Sequence, residues 1–352
     1  MSTLRLAHIG LGGWGSDWER NAVPRVPEVD RVGVVEPNAA VLEAFRAEHE
    51  LPDAGCASSL AQLLDQLRGD RAPEAVLITA PVGFHVPLAL EALEAGLHVL
   101  VEKPFAPTVA EALTAVERAE QLGLVLQVSQ NYRHYPAPRA VRRLLDEGAL
   151  GEVTGVDVDF RQWANDAPAA TNPHYRFPQP LLFDMAIHHF DLLRLVTGQD
   201  VVRVHAVVSQ PAFSKFAEAP VGVLTMETSS GLVVSYRGSW LSRGTPTPWA
   251  GEWRISGERG ELAFTSRTHG QAVPPTTDAV SVRGADGTTT AVELEVPELW
   301  GRAAGLRQFA RAVAGGTAPE TSGRDNLASL AIAEAAARSA ESGQVEAVVV
   351  PR

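Results

Sequence analysis

The sequence predicts two α/β domains: one over residues 1–128 with a doubly wound parallel sheet, and one over 129–352 with a large, mainly antiparallel sheet. Three observations point there. The chain has 352 residues, enough for two domains of roughly 150 residues or one larger partner. Residues 4–128 alternate short β-branched runs with amphipathic helical stretches, the pattern of βαβ units. Beyond residue 129 strand-like runs follow one another across short turns, which favours antiparallel pairing.

Strand-like runs fall at 4–9, 31–36, 75–79, 97–101 and 124–128, with helical stretches near 14–23, 38–48, 59–68, 84–95 and 108–121 between them. Gly96 and Gly123 stand where the fourth and fifth helices should stop, and Thr108 with Glu111 three residues on reads as a capping box. The second half opens with a helix at 136–147, a strand at 152–161, a Pro-rich loop at 164–180 and a long helix at 181–196. Strands are expected at 201–208, 221–228, 231–240 and 259–264, with turns at Ser229-Ser230-Gly231 and Ala285-Asp286-Gly287. Two Ala-rich helices near 301–314 and 324–342 close the chain.

Composition narrows the function classes. A formal charge of −12 argues against a nucleic-acid or anionic-membrane surface, both of which need a basic footprint. The most apolar long stretch, 75–101, carries Glu91, Glu94, Pro81 and Pro87 and cannot span a bilayer. No secretory leader is read at the N-terminus, so a cytoplasmic protein is expected. The lone Cys56 is expected to be a buried structural thiol and excludes a cysteine-built zinc site. Of 30 basic residues only two are lysines, Lys103 and Lys215. A chain that writes Arg almost everywhere draws attention to a Lys inside a motif.

The strongest local signal is Gly10-x-Gly12-x-x-Gly15, which ends the first strand and opens the first helix, with Gly13 and Trp14 inside it. Such glycines permit a tight turn and close approach of backbone to a pyrophosphate at a helix N-terminus. Glu36 ends the second strand 21 residues after Gly15, where a carboxylate accepts hydrogen bonds from ribose hydroxyls. The first domain therefore reads as a Rossmann NAD(P)-binding domain. A carboxylate at Glu36 repels a 2′-phosphate, and the following Pro37 and Asn38 offer no Arg to neutralise one, so NAD is favoured over NADP.

With that fingerprint upstream, Glu102-Lys103-Pro104 resembles the signature of the glucose-fructose oxidoreductase / inositol dehydrogenase / MocA family. The resemblance extends to Ala80-Pro81 with His85, Asn131-Tyr132-Arg133, Gly148 to Gly151, Asp184-x-x-x-His188, and Ser322-Gly323-Arg324-Asp325 before the last helix. It implies a dehydrogenase or reductase acting on CH–OH groups of a sugar, cyclitol or related polyol, and terminal helices that pack back on the first domain. It implies cofactor contacts at Ala80, Pro81, His85, Glu102 and Lys103. It assigns His188 as general base, with Asp184 and Lys103 as substrate-contacting partners.

The residues make part of that case themselves. Lys103 follows the fifth strand, at the carboxyl edge of a parallel sheet, where an ammonium can stabilise charge developing on a substrate oxygen. Lys215 has no motif around it. Asp184 and His188, four apart in a helical pattern, share a face that Asp191 continues, whereas His189 points about 100° away. A neutral imidazole can take a proton from a secondary alcohol as hydride leaves the same carbon. These three side chains lack a further ligand-spaced partner, so no metal is expected. Among Tyr132, Arg133, Arg161, Trp163, His174, Tyr175 and Arg176, the substrate contacts expected are Arg133, Trp163 and Arg176.

Three positions depart from the family pattern: Val82 where Asn is common, Pro180-Leu181-Leu182-Phe183 where a Gly pair precedes the Asp, and Ala186 where Gly is frequent. Two other readings stay open, a glycoside hydrolase using bound NAD for transient redox and a non-catalytic NAD-binding regulator. The open face of the second sheet suggests a homodimer or homotetramer.

Overall fold

The computed structural model describes residues 3–267 and 278–351. Contacts divide the chain into two units, Met1–Asn131 with Gly301–Leu327, and Tyr132–Trp300 with Ala328–Arg352. The chain returns to the first unit after Trp300, so each unit is built from two segments.

The first unit alternates β1 (Leu4–Ile9), α1 (Gly13–Asn21), β2 (Val29–Val35), α2 (Ala39–Glu48), β3 (Cys56–Ala57), α3 (Leu60–Gln66), β4 (Ala75–Ile78), α4 (His85–Glu94), β5 (His98–Val101), α5 (Val109–Leu122) and β6 (Leu126–Val128). The sheet is wholly parallel in the order β3-β2-β1-β4-β5-β6. Helices on both faces of a parallel sheet bury its central strands completely, which is why Ala75-Val76-Leu77-Ile78 is a continuous apolar run with every residue at 0% exposure. The strand order reverses between β1 and β4, and ligands bind such folds beyond the strand ends at that reversal. The helix punctuation follows the local chemistry: Thr108 Oγ1 accepts from Glu111 N at 3.2 Å, and Gly123 ends α5 at φ 66°. Cys56, on the short edge strand β3, is half-buried rather than buried.

The second unit contains α6 (Pro136–Asp146), β7 (Val153–Arg161), a π-helical turn (Pro180–Ala186), α7 (Ile187–Thr197), β8 (Val201–Ser209), β9 (Val221–Thr228), β10 (Val233–Ser239), β11 (Glu252–Gly257), β12 (Gly260–Thr265), β13 (Ala279–Gly284), β14 (Thr289–Ala291) and β15 (Glu346–Ala347). Nine strands pair in the order β14-β13-β12-β11-β7-β10-β9-β8-β15, antiparallel throughout except for β7 with β10. The alternating burial of β10 shows one covered face, and Phe160, Phe190, Trp253 and Ile255 lie at the centre of the core beneath it. Of the last two helices, α8 (Gly301–Gly315) falls in the first unit, while α9 (Gly323–Ser342) begins there and continues in the second. Among the described residues, no helix is long and apolar enough to cross a membrane.

The helix expected over 181–196 is two structures. Gln179 adopts φ 44°, Pro180 follows without an N–H to donate, and a wide turn runs to Ala186 before α geometry begins at Ile187. Packing holds that turn in place. Gly222 and Gly238 face each other across β9 and β10, and a Cβ on Gly238 would come within 2.6 Å of Leu181 Cδ1. The paired glycines form a notch that receives Leu181, and Trp240 Nε1 donates to the Pro180 carbonyl at 3.2 Å.

Candidate active site

In the first unit the glycine loop divides its labour. Gly10 has φ 93° and a Cβ there would meet Ala80 N at 2.7 Å, while a Cβ on Gly15 would strike Gly10 O at 2.0 Å. Gly12 and Gly13 have nothing within 4 Å of an added Cβ, which leaves an open cradle at the start of α1. No side chain caps that helix, so its first N–H groups and positive dipole end are available to an anion. Glu36 accepts from Leu11 N at 2.9 Å through one oxygen and from Asn38 N at 3.0 Å through the other. Two backbone donors thereby fix the carboxylate at the end of β2, and each oxygen keeps a lone pair for a hydroxyl. This cradle and this acceptor fit a dinucleotide. Trp14 is 39% exposed, with the Arg302 guanidinium of α8 4.4 Å from its ring centroid. Sequence reasoning missed Arg302, which also pairs with Asp17, because nothing in an Ala-rich helix marks which Arg returns to the loop.

The other residues expected at the cofactor lie on the segments that follow β4 and β5. Pro81 is exposed and Ala80 half-buried beside the glycine loop. His85 is buried, with Nδ1 2.8 Å from Pro104 O and Nε2 2.7 Å from Ala80 O. Burial pushes its pKa down, against the opposing pull of those carbonyls. It joins the Ala80 turn to the Pro104 turn. Glu102 is likewise spent inside the protein, accepting from Trp18 Nε1 at 2.8 Å and from Lys103 N at 3.0 Å. Its part is to set the backbone of Lys103, whose side chain is half-buried at the carboxyl end of β5.

In the second unit His188 is 4% exposed and lies flat on Tyr132, with ring centroids 4.0 Å apart and planes 3° from parallel. The Arg267 guanidinium sits 4.5 Å from the Tyr132 centroid and bonds its hydroxyl, and burial raises the phenol pKa. Arg267 carried no sequence signal; it comes from beyond the end of β12. Asp184, on the π turn, bonds His174 Nε2 at 2.9 Å. The turn places Asp184 on wider helical geometry than the α spacing used in the sequence reading, and such turns recur at functional sites.

The Nε1–H of Trp163 is buried and finds no hydrogen-bond partner among the described residues. Its ring is covered by Arg243, 3.6 Å from the centroid. Arg176 is exposed at the end of a short 3₁₀ turn. Arg133 is engaged within the second unit. Its guanidinium forks onto Asp191 at 2.6 and 2.7 Å, with both side chains buried, and Ser329 donates to the same carboxylate at 3.0 Å. This scaffold pair also accounts for Asp191. Among the described residues, no three His, Cys, Asp or Glu side chains gather as a metal site.

His189 is structural. Nδ1 lies 3.1 Å from Tyr236 Oη and Nε2 3.0 Å from Trp249 O, so a neutral ring accepts from the phenol and donates to the carbonyl. Burial lowers its pKa to about 4. The unfolded chain therefore binds this proton first, and stability is full above the ordinary histidine pKa and falls as pH drops from there towards 4. The loss is on the order of 3 kcal/mol at the acid end of that window. Denaturant midpoints across it should shift less in His189→Gln than in the wild type.

Comparisons with known proteins agree with this architecture. Residues 4–130 match the model of an oxidoreductase family with an NAD-binding Rossmann fold, and residues 139–263 match the GFO/IDH/MocA C-terminal domain. The D-apiose dehydrogenase of Paraburkholderia graminis is 30% identical over 280 residues, covering 76% of this chain and 71% of that protein. An inositol 2-dehydrogenase of Corynebacterium glutamicum is 30% identical over 237 residues, 66% of each chain. An oxidoreductase from Agrobacterium radiobacter, solved in complex with NAD+, L-tartaric acid and magnesium, shares the fold with a TM-score of 0.84 at 21% identity over 99% of both chains. With both halves matched by models of one family and a relative similar across most of its length, the chain belongs to the GFO/IDH/MocA family of NAD-binding oxidoreductases.

Proposed function

We propose that this chain moves hydride between NAD and a secondary carbinol carbon of a sugar, cyclitol or related polyol. Bound nicotinamide supplies the hydride acceptor in oxidation and the donor in reduction. His188 takes the hydroxyl proton as the carbinol carbon is oxidised and returns it in the reverse direction. The Lys103 ammonium stabilises the negative charge developing on a substrate oxygen. Asp184, bonded to His174, contacts a neighbouring substrate hydroxyl, and the buried Trp163 N–H donates to another.

The observation that carries this reading is the seat of His188, a buried imidazole flat on Tyr132 at the start of α7, directly after the π turn bearing Asp184. Its neighbour His189 is spent on Tyr236 and Trp249, which separates the two roles. NAD in preference to NADP follows from the pinned Glu36 carboxylate, whose charge opposes a 2′-phosphate. A second copy would cover the outer face of the nine-stranded sheet, where exposed Val207 and Val223 stand opposite in register; sedimentation equilibrium measures this.

The test is nicotinamide absorbance against free sugars, cyclitols and glycosides, with NAD and NADP in parallel. Reduction of NAD by a free polyol is expected. Glycoside cleavage without net reduction, or NAD binding without any turnover, would overturn the proposal.

A further inference from the structure

We propose that Thr79, aimed by a buried Arg31–Glu19–His8 relay, positions the Gly10–Gly15 loop for the dinucleotide. A histidine with 0% exposure, one residue before the end of β1, is an unusual choice for a core strand position. Its Nδ1 lies 2.7 Å from Oε1 of Glu19 on α1, which is itself 3% exposed. The other Glu19 oxygen accepts from Arg31 Nε at 3.1 Å. On the far side of the ring, Nε2 is 2.9 Å from Thr79 Oγ1. That hydroxyl lies 2.5 Å from Gly10 O and 3.4 Å from Ile9 O, and the latter already accepts from Thr79 N at 2.9 Å.

Counting hydrogens decides the direction of each bond. A threonine hydroxyl has one proton. Given to Gly10 O, it leaves the oxygen as an acceptor towards His8, so Nε2 must carry a hydrogen. An ionised Glu19 only accepts, so Nδ1 must carry one as well. This is the bond pattern of an imidazolium held between a carboxylate and a hydroxyl. The charged groups around it are Glu19 from α1, with Arg31 from β2 and His49 after α2 acting on Glu19. Burial alone would raise the Glu19 pKa; the hydrogen bond and charge of His8 together with Arg31 hold it below the ordinary range.

Gly10 O is the atom that makes the loop tight. A Cβ on Gly15 would meet it at 2.0 Å and Thr79 Oγ1 at 2.8 Å, so hydroxyl, carbonyl and the first turn of α1 form one contact. Moving the carbonyl moves the N–H groups that face the cradle. The proposal rests on that cradle receiving the pyrophosphate.

Equilibrium binding of NAD to the full chain, without substrate, tests both layers. Thr79→Val should weaken NAD roughly fivefold to tenfold, the worth of one hydrogen bond, with Thr79→Ser close to wild type. His8→Leu, which removes the partner of Thr79 Oγ1, should weaken NAD by a similar factor, and the double variant no further, because both act through one hydroxyl. An unchanged Kd in Thr79→Val or in His8→Leu, or additive losses in the double variant, overturns the relay. If Thr79→Val does not fold, His8→Leu decides alone. Gly12→Asp separates the layers, since its side chain has room but puts a carboxylate in the cradle. Wild-type NAD affinity in Gly12→Asp would reject the cradle itself; loss of binding there with an unaltered Thr79→Val rejects only the relay.

Discussion

His188→Asn is expected to lower kcat by about 10²- to 10⁴-fold, the range for removing a general base, while NAD affinity stays at the wild-type value. The substitution removes the proton acceptor and keeps a flat polar side chain against Tyr132. A kcat effect without a Kd effect for NAD is the signature. Lys103→Met should cost a comparable factor, because an oxygen that gains charge in the transition state then lacks its cationic donor. Steady-state kinetics on the best polyol from the substrate panel, with NAD binding measured alongside, checks both. Substantial turnover in His188→Asn would remove His188 from the role of base.

The largest expected effect on stability is at Asp191. Asp191→Ala should destabilise the second unit by about 3–5 kcal/mol, because it leaves the buried Arg133 guanidinium without its counter-charge. Arg133 bonds both carboxylate oxygens, and Ser329 adds a third donor, so the carboxylate ties the segment before α6 to α7 and to the later part of α9. Arg133→Met together with Asp191→Leu should recover much of the loss, since removing both charges also removes the desolvation cost of each. Urea unfolding of the wild type, both single variants and the double variant closes the cycle. A double variant as unstable as the worse single one would assign the effect to packing instead.

Much of the fold was legible before any coordinates. The alternation over 4–128 produced all five strands expected there, displaced by no more than two residues at either end, because fully buried parallel strands are written as unbroken apolar runs. The strands that escaped notice were β3, β11, β13, β14 and β15. Three of them are only two or three residues long, and Thr289–Ala291 is exposed throughout, so none carries a periodic signal. The glycine loop and Glu36 were legible because each depends on neighbours a fixed, short distance along the chain.

The substrate side was only half legible. His188, Asp184 and Trp163 could be nominated from residue type and position, yet their partners could not. Arg133 looked like a substrate contact and is committed to Asp191; Glu102 and His85 looked like cofactor contacts and brace the turns around Lys103. The wide turn at 180–186 depends on Leu181 entering a notch made by two glycines some 40 and 57 residues later.

By itself, then, the sequence determined the layered α/β architecture, the parallel sheet, the cofactor loop and the candidates for the reactive side chains. Those follow from periodicity and backbone freedom, which act over a few residues. Only the tertiary structure decided which polar groups spend their hydrogen bonds inside the protein and which keep them for a ligand. A buried donor takes whichever acceptor the fold brings within about 3 Å, and that choice is made across tens to hundreds of residues.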